Sequence, residues 1–239
     1  MPGADEVLVA ARSALLDALV ALGDHADEIT LIGAQAIYLH TGAADVALAE
    51  TTKDSDLVVD PRALAGHPLL EAAMSSSGFH QNLASPQPGA WLSPSGVPVD
   101  LMVPEALAGP GSRRSGRIPP HANHSTRRAV GLEAAVIDRA RMPIRALDSS
   151  DDREVTTYVA GPAALLVAKL HKLGERREQP SGTVTWRAVE HLVEMFAAGP
   201  DAVGSQMAGQ AEALIGDPDI VAQSVSILAA DLTTAIASP

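Results

Sequence analysis

Three short apolar runs, each closed by a glycine or a proline, set the limits on what this chain can fold into. They are EITLIG (Glu28 to Gly33), SDLVVD (Ser55 to Asp60, followed by Pro61) and VPVDLMVP (Val97 to Pro104). Each is too short for a buried helix and is rich in branched residues between chain breakers, so each reads as a strand. Segments of helical period lie around them: residues 5–23, AQAIYLHTG ending near Gly42, and most of RALAGHPLLEAAMSSSG. FHQNL and AWLS fit edge strands around the ASPQPG turn. EAAVIDRARMPIRAL and REVTTYVA fit further strands, and Gly161-Pro162 opens a helix, because proline suits the first helical position. From Thr183 onward the chain reads as helices separated by GPDAVG and GDPD. The expected fold is α/β (α+β), with an α/β domain over 1–160 and a helical carboxy-terminal domain over 161–239.

Between the third strand and the later ones runs EALAGPGSRRSGRIPPHANHSTRRA, rich in glycine, proline, serine and arginine. It reads as a long surface loop, a length common in functional segments. Charge concentrates there. Residues 1–112 hold 3 basic and 14 acidic side chains, 113–187 hold 14 and 8, and 188–239 hold none and 7. A basic middle between acidic ends fits a local anion site, whereas the total of −12 argues against a general nucleic-acid coat. With no cysteine, disulfides and cysteine-ligated zinc are excluded. The amino terminus reads as an amphipathic helix, no apolar run reaches a membrane span of ~20 residues, and the expected location is the cytoplasm.

Asp54 and Asp56 open the second strand and, by alternation, share one face. Asp100 lies in the third strand between the apolar Val99 and Leu101. Carboxylates are costly to bury unless a cation meets them. A solvated strand end is one answer. If the two strands are neighbours, convergence of Asp54, Asp56 and Asp100 on Mg²⁺ or Mn²⁺ is another, since a hard cation takes oxygen ligands and keeps waters and substrate phosphates. Upstream, Gly33 ends a strand and starts a helix, whose free N–H groups can hold phosphate; taken alone, the segment reads better as a tight turn without a ligand. Lysine occurs only at 53, 169 and 172, against fourteen arginines. Lys169, Lys172 and Arg176 form one stripe on the helix after Pro162. Trp91 and Trp186 read as packing residues.

In this order the segments resemble the nucleotidyltransferase superfamily that includes DNA polymerase beta. Its pattern is an apolar residue and glycine before a helix, Asp-x-Asp on a strand, and a third carboxylate on a later strand. Here these are LIGAQA, TTKDSDLVV and VPVDLMV. The closer likeness is to the minimal branch containing the AbiEii-type toxins, which share a TkDiDl-like motif and a lysine-bearing helix, here GPAALLVAKLHKLGER. The resemblance covers roughly 28–177. It implies a mixed sheet flanked by helices and transfer of NMP from an NTP to a hydroxyl of RNA, tRNA, a protein or a small molecule. A role as the toxin of a toxin–antitoxin pair, with a cognate antitoxin as partner, belongs to the same expectation. Asp54, Asp56 and Asp100 would hold the metal, and Asp100 would activate the acceptor. Gly33, Ala34 and Gln35 would cradle phosphates, Lys169 would neutralise phosphate charge, and Thr52, Lys53 and Lys172 would add nucleotide contacts. Ala34 stands where the family has glycine or serine, and Ser55 where it has an apolar residue. These two departures motivate an alternative, a catalytically weak nucleotide- or partner-binding module that retains the fold.

Overall fold

The structure is a computed structural model and describes residues 4–41, 54–85, 87–111, 114–177, 196–202, 204–206 and 217–237. Helix α1 (Ala4–Ala21) leads through a turn of 3-10 helix into strand β1 (Ile29–Ile32), and helix α2 (Gly33–Thr41) follows directly. Next come β2 (Ser55–Val59), α3 (Leu70–Ser76), β3 (His80–Gln81), β4 (Ala90–Leu92) and β5 (Pro98–Pro104). After them lie β6 (Arg127–Ala129), β7 (Arg139–Arg145), β8 (Glu154–Ala160) and α4 (Pro162–Arg177). A last helix spans Pro218–Ala237.

The strands form one open mixed sheet in the order β3-β4-β5-β2-β1-β8-β7, with β6 also beside β5. Pairs β2–β5, β1–β8 and β5–β6 are parallel, and β1–β2, β3–β4, β4–β5 and β7–β8 are antiparallel. One flank of β5 is divided: β4 pairs with Pro98, Val99 and Asp100, and β6 with Met102, Val103 and Pro104. At the division the Leu101 amide donates to the Gly89 carbonyl (2.8 Å), and the Gly89 amide donates to the His124 carbonyl (2.9 Å). Gly89 has φ +74° there, a conformation that glycine adopts without strain.

α1 packs across β2, β5 and β8 through a stripe of Ala11, Ala14, Leu15 and Ala18, all buried. The Ser55 hydroxyl faces this helix and donates to the Ala11 carbonyl (3.2 Å). Strand alternation therefore turns Asp56 to the other face of the sheet. Trp91 is buried, and its indole N–H donates to the Ser125 carbonyl (3.1 Å), which makes it the packing residue expected.

Three expectations change. The helix expected over Arg62 to Gly78 shrinks to α3, because Pro68 disfavours a helical conformation in the residue before it and has no N–H to donate. The Pro68 carbonyl instead meets His25 Nε2 (2.8 Å), and the Leu70 amide, at the start of α3, donates to His121 Nδ1 (3.1 Å). His121 is buried, and desolvation followed by the neighbouring His25 holds its pKa below the ordinary imidazole value. The long arginine-rich loop contains a strand, β6. Finally, the chain divides into compact units at Met1–His171 and Lys172–Pro239, inside α4 and not at residue 160. The start of α4 is fastened to the first unit: the Gly161 amide donates to the Asp138 carbonyl (2.8 Å), the Ala164 amide to Asp138 Oδ2 (2.9 Å), and Ala164 and Leu165 are buried. The helix expected near Thr183 to Gly199, with Trp186, lies mostly outside the described residues. Among the described residues no helix is long and apolar enough to cross a membrane.

Candidate functional site

Parallel pairing of β2 with β5 sets Asp56 directly opposite Asp100 in register. Residues facing each other across paired strands project to the same side of a sheet, so the carboxylates are neighbours on the face away from α1. β1 lies on the other side of β2 with Ile32 opposite Asp56, and the chain leaves it at Gly33 to enter α2. Gly33 has φ +74°, and a Cβ there would fall 2.4 Å from Asp56 Oδ2. The backbone at the start of α2 is thus packed against a carboxylate, an approach only glycine permits.

The carboxylate pair also meets a side chain that sequence reasoning missed. Arg127, from β6, donates through Nη2 to Asp100 Oδ2 at 2.9 Å and approaches Asp56 Oδ1 at 3.9 Å. All three side chains are about one-fifth exposed. Arg127 Nε is buried and has no hydrogen-bond partner. One guanidinium nitrogen therefore meets both carboxylates, and its charge offsets part of the repulsion between them.

The other expected site residues are placed unevenly. Asp54 is exposed and precedes β2, and no group of three metal-ligating side chains assembles among the described residues. Gln35 is buried: Oε1 accepts from Arg12 Nε (2.9 Å), and Nε2 is buried without a hydrogen-bond partner. Burial lowers the pKa of Arg12, whose Nη1 donates to the Arg145 carbonyl (3.0 Å). Ala34 is half-buried in the first turn of α2. Lys169 is exposed on α4, two residues before His171, whose ring borders Gly131 just beyond β6. Lys172 is exposed and belongs to the second unit. Thr52 and Lys53 lie outside the described residues. His121 is held by two backbone groups, the Leu70 amide and the Ala65 carbonyl.

Does this arrangement suit the divalent cation expected from the sequence? Magnesium is commonly held by one or two carboxylates, with waters and substrate phosphates completing its octahedron. Asp56 and Asp100 provide that donor set, and glycine at 33 lets the Asp56 carboxylate sit against the start of α2 without a clash. The residues fit the ion as a two-carboxylate site, with Asp54 as an exposed neighbour.

A cavity of about 280 Å³ lies elsewhere, lined by Pro61, Arg62, Leu64, Leu107 and Arg117 among others. It begins five residues beyond Asp56, roughly 16 Å along an extended chain, and borders neither carboxylate. The cavity lining is cationic, with Arg62 and Arg117, and holds no carboxylate, so the Asp56–Asp100 pair carries the argument for a cation site.

One prediction follows from the cradle. Gly33→Ala strains a left-handed position by ~1–2 kcal/mol and pushes Asp56 aside. Urea unfolding should show that loss, and whatever activity the pair supports should fall at least as steeply. Unchanged stability would mean that the turn relaxes without using glycine.

No family model, curated protein or solved structure matches the chain.

Proposed function

We propose that the first unit is a nucleotidyltransferase-like domain that moves NMP from an NTP to a hydroxyl acceptor and releases pyrophosphate. The observation that supports this most is the in-register pair Asp56 and Asp100, lying against the glycine that opens α2. Two adjacent carboxylates beside a helix start provide a cation site and an anion site within one side chain's reach.

Asp56 and Asp100 would hold Mg²⁺ or Mn²⁺, which when bound supplies Lewis-acid polarisation of the phosphoryl oxygens. The backbone of Gly33, Ala34 and Gln35 directs N–H groups at the nucleotide phosphates. The acceptor oxygen bonds to the α-phosphorus while the bond to the β-phosphate oxygen breaks, and that electron pair departs on pyrophosphate. The hydroxyl proton passes to the Asp100 carboxylate. Lys169, on an exposed part of α4, neutralises charge on the phosphates. Lys53 and Thr52 are proposed as further nucleotide contacts. Arginines 114 and 117 flank the site in sequence and favour an anionic acceptor such as RNA or tRNA. A toxin's role with a cognate antitoxin remains part of this proposal and would show as growth arrest on expression, relieved by a neighbouring gene.

A second reading is favoured by one observation: Arg127 already partly compensates the carboxylates, and Ala34 has no hydroxyl to offer a phosphate. In that case the domain binds nucleotide or a partner without turnover. Incubating the protein with each α-labelled NTP, Mg²⁺ or Mn²⁺, and total RNA or cell lysate separates the two. Transfer labels an acceptor and releases pyrophosphate. Bound nucleotide with no labelled acceptor and no pyrophosphate for any NTP supports the binding module and ends the transferase proposal.

A further inference from the structure

We infer that Arg127 is a built-in counter-ion for the Asp56–Asp100 pair, and that a divalent cation enters the site only by displacing its guanidinium. This rests on the proposal that these carboxylates hold the cation. It goes further in assigning a residue with no part in the expected motif.

Three observations carry it. Arg127 Nη2 sits 2.9 Å from Asp100 Oδ2 and 3.9 Å from Asp56 Oδ1, so a positive charge already occupies the approach common to both carboxylates. An ion bridging the same two oxygens would meet that nitrogen at close range and be repelled by it. Second, the guanidinium is under-satisfied: Nε is buried without a partner, so the side chain is held chiefly by the carboxylates it would give up. Third, its backbone is fixed independently. β6 is paired to β5 with Val103 opposite Arg128, Arg128 Nη2 donates to the Gly109 carbonyl (2.8 Å), and the preceding turn is tied to Gly89. The side chain can therefore leave without unpairing the strand. Arg128 lies one residue away on the same strand, carries the same charge and bonds backbone carbonyls instead of the carboxylates. It is the natural control.

The consequence is that the free protein keeps its carboxylates compensated without metal, and its affinity for a cation is lower than two neighbouring aspartates would give. Removing one charge-assisted hydrogen bond of this kind corresponds to on the order of tenfold in a competing equilibrium.

The test measures binding of Mn²⁺ alone, by loss of the free-ion electron paramagnetic resonance signal, on the full chain at constant ionic strength. Arg127→Gln should bind Mn²⁺ about tenfold more tightly than the parent, whereas Arg128→Gln should stay within about twofold of it. Adding Asp56→Asn to Arg127→Gln should abolish the gain, which places the ion on the pair. Circular dichroism of each variant establishes that it is folded, and Arg127→Lys provides a second folded variant if Arg127→Gln does not fold. Lysine keeps the charge but cannot present a planar fork, so it should fall between parent and glutamine. Equal Mn²⁺ affinity in parent, Arg127→Gln and Arg127→Lys overturns the counter-ion role while leaving the metal site standing. Equal gains in Arg127→Gln and Arg128→Gln reduce the effect to general charge and also overturn it. Absence of Mn²⁺ binding in every folded variant removes the metal site and this inference together.

Discussion

Asp56→Asn and Asp100→Asn should both remove transfer but differ in stability. Under the proposed transfer, each takes one carboxylate from the pair assigned to the cation, and loss of a single preorganised charge contact of that kind lowers rates by roughly 10²–10³-fold. Labelled NMP incorporation checks this directly. Their effects on the fold diverge because Arg127 bonds Asp100 at 2.9 Å and only approaches Asp56 at 3.9 Å. Asp100→Asn weakens a partly buried charge-assisted hydrogen bond and should destabilise by about 1–3 kcal/mol. Asp56→Asn also relieves repulsion between neighbouring carboxylates, so it should cost clearly less in urea unfolding. Full transfer activity in either variant would remove the pair from the chemistry. The difference between the two losses should shrink when both substitutions are made in Arg127→Gln, and an undiminished difference would show that Arg127 does not set it.

Gly89→Ala should produce the largest loss of stability of any single methyl added in this unit. The new Cβ would fall 2.3 Å from the Leu101 carbonyl oxygen and 2.5 Å from the Arg127 amide nitrogen, both main-chain atoms. Neither can rotate away as a flexible side chain would, and φ +74° adds its own strain. Overpacking of this kind together with the backbone term amounts to ~3–5 kcal/mol. At ~2–4 °C per kcal/mol for a chain of this size, the melting temperature should fall by roughly 10 °C. The same displacement moves the Arg127 main chain, so Mn²⁺ affinity should change in whatever protein remains folded. A melting temperature within a degree or two of the parent would mean that β4 and β6 do not meet β5 at this point.

The strands were legible because their side chains alternate against a helix that could be read separately. SDLVV and PVDLMV each show apolar residues on both faces with one aspartate intruding, and the structure pairs these strands in parallel with the aspartates opposed. Ser55, a departure from the expected motif, proves to be a buried hydroxyl bonded to α1, a contact no spacing rule reveals. Arg127 was invisible for a different reason. Its strand, Arg127–Ala129, has three residues, no apolar alternation and a Gly/Pro/Ser/Arg-rich approach, so local pattern pointed to a loop. Its pairing is non-local, with Met102 opposite Arg127, and such partners are not encoded in nearby composition. Pro68 is legible as a breaker, and the helix begins just after it, at Leu70. The place where the chain divides was hidden because α4 is continuous in sequence pattern, and only the bonds from Asp138 show that its beginning belongs with the sheet.

The pieces of this site are spread along the chain in the order Gly33, Asp56, Asp100, Arg127. During synthesis, at ~5–20 residues per second, the first aspartate leaves the ribosome several seconds before the second and its arginine. No shorter nascent fragment holds the complete constellation. A site assembled in this sequence is incomplete until the sheet has closed around β5, so the finished fold, and not the appearance of any one motif, completes it.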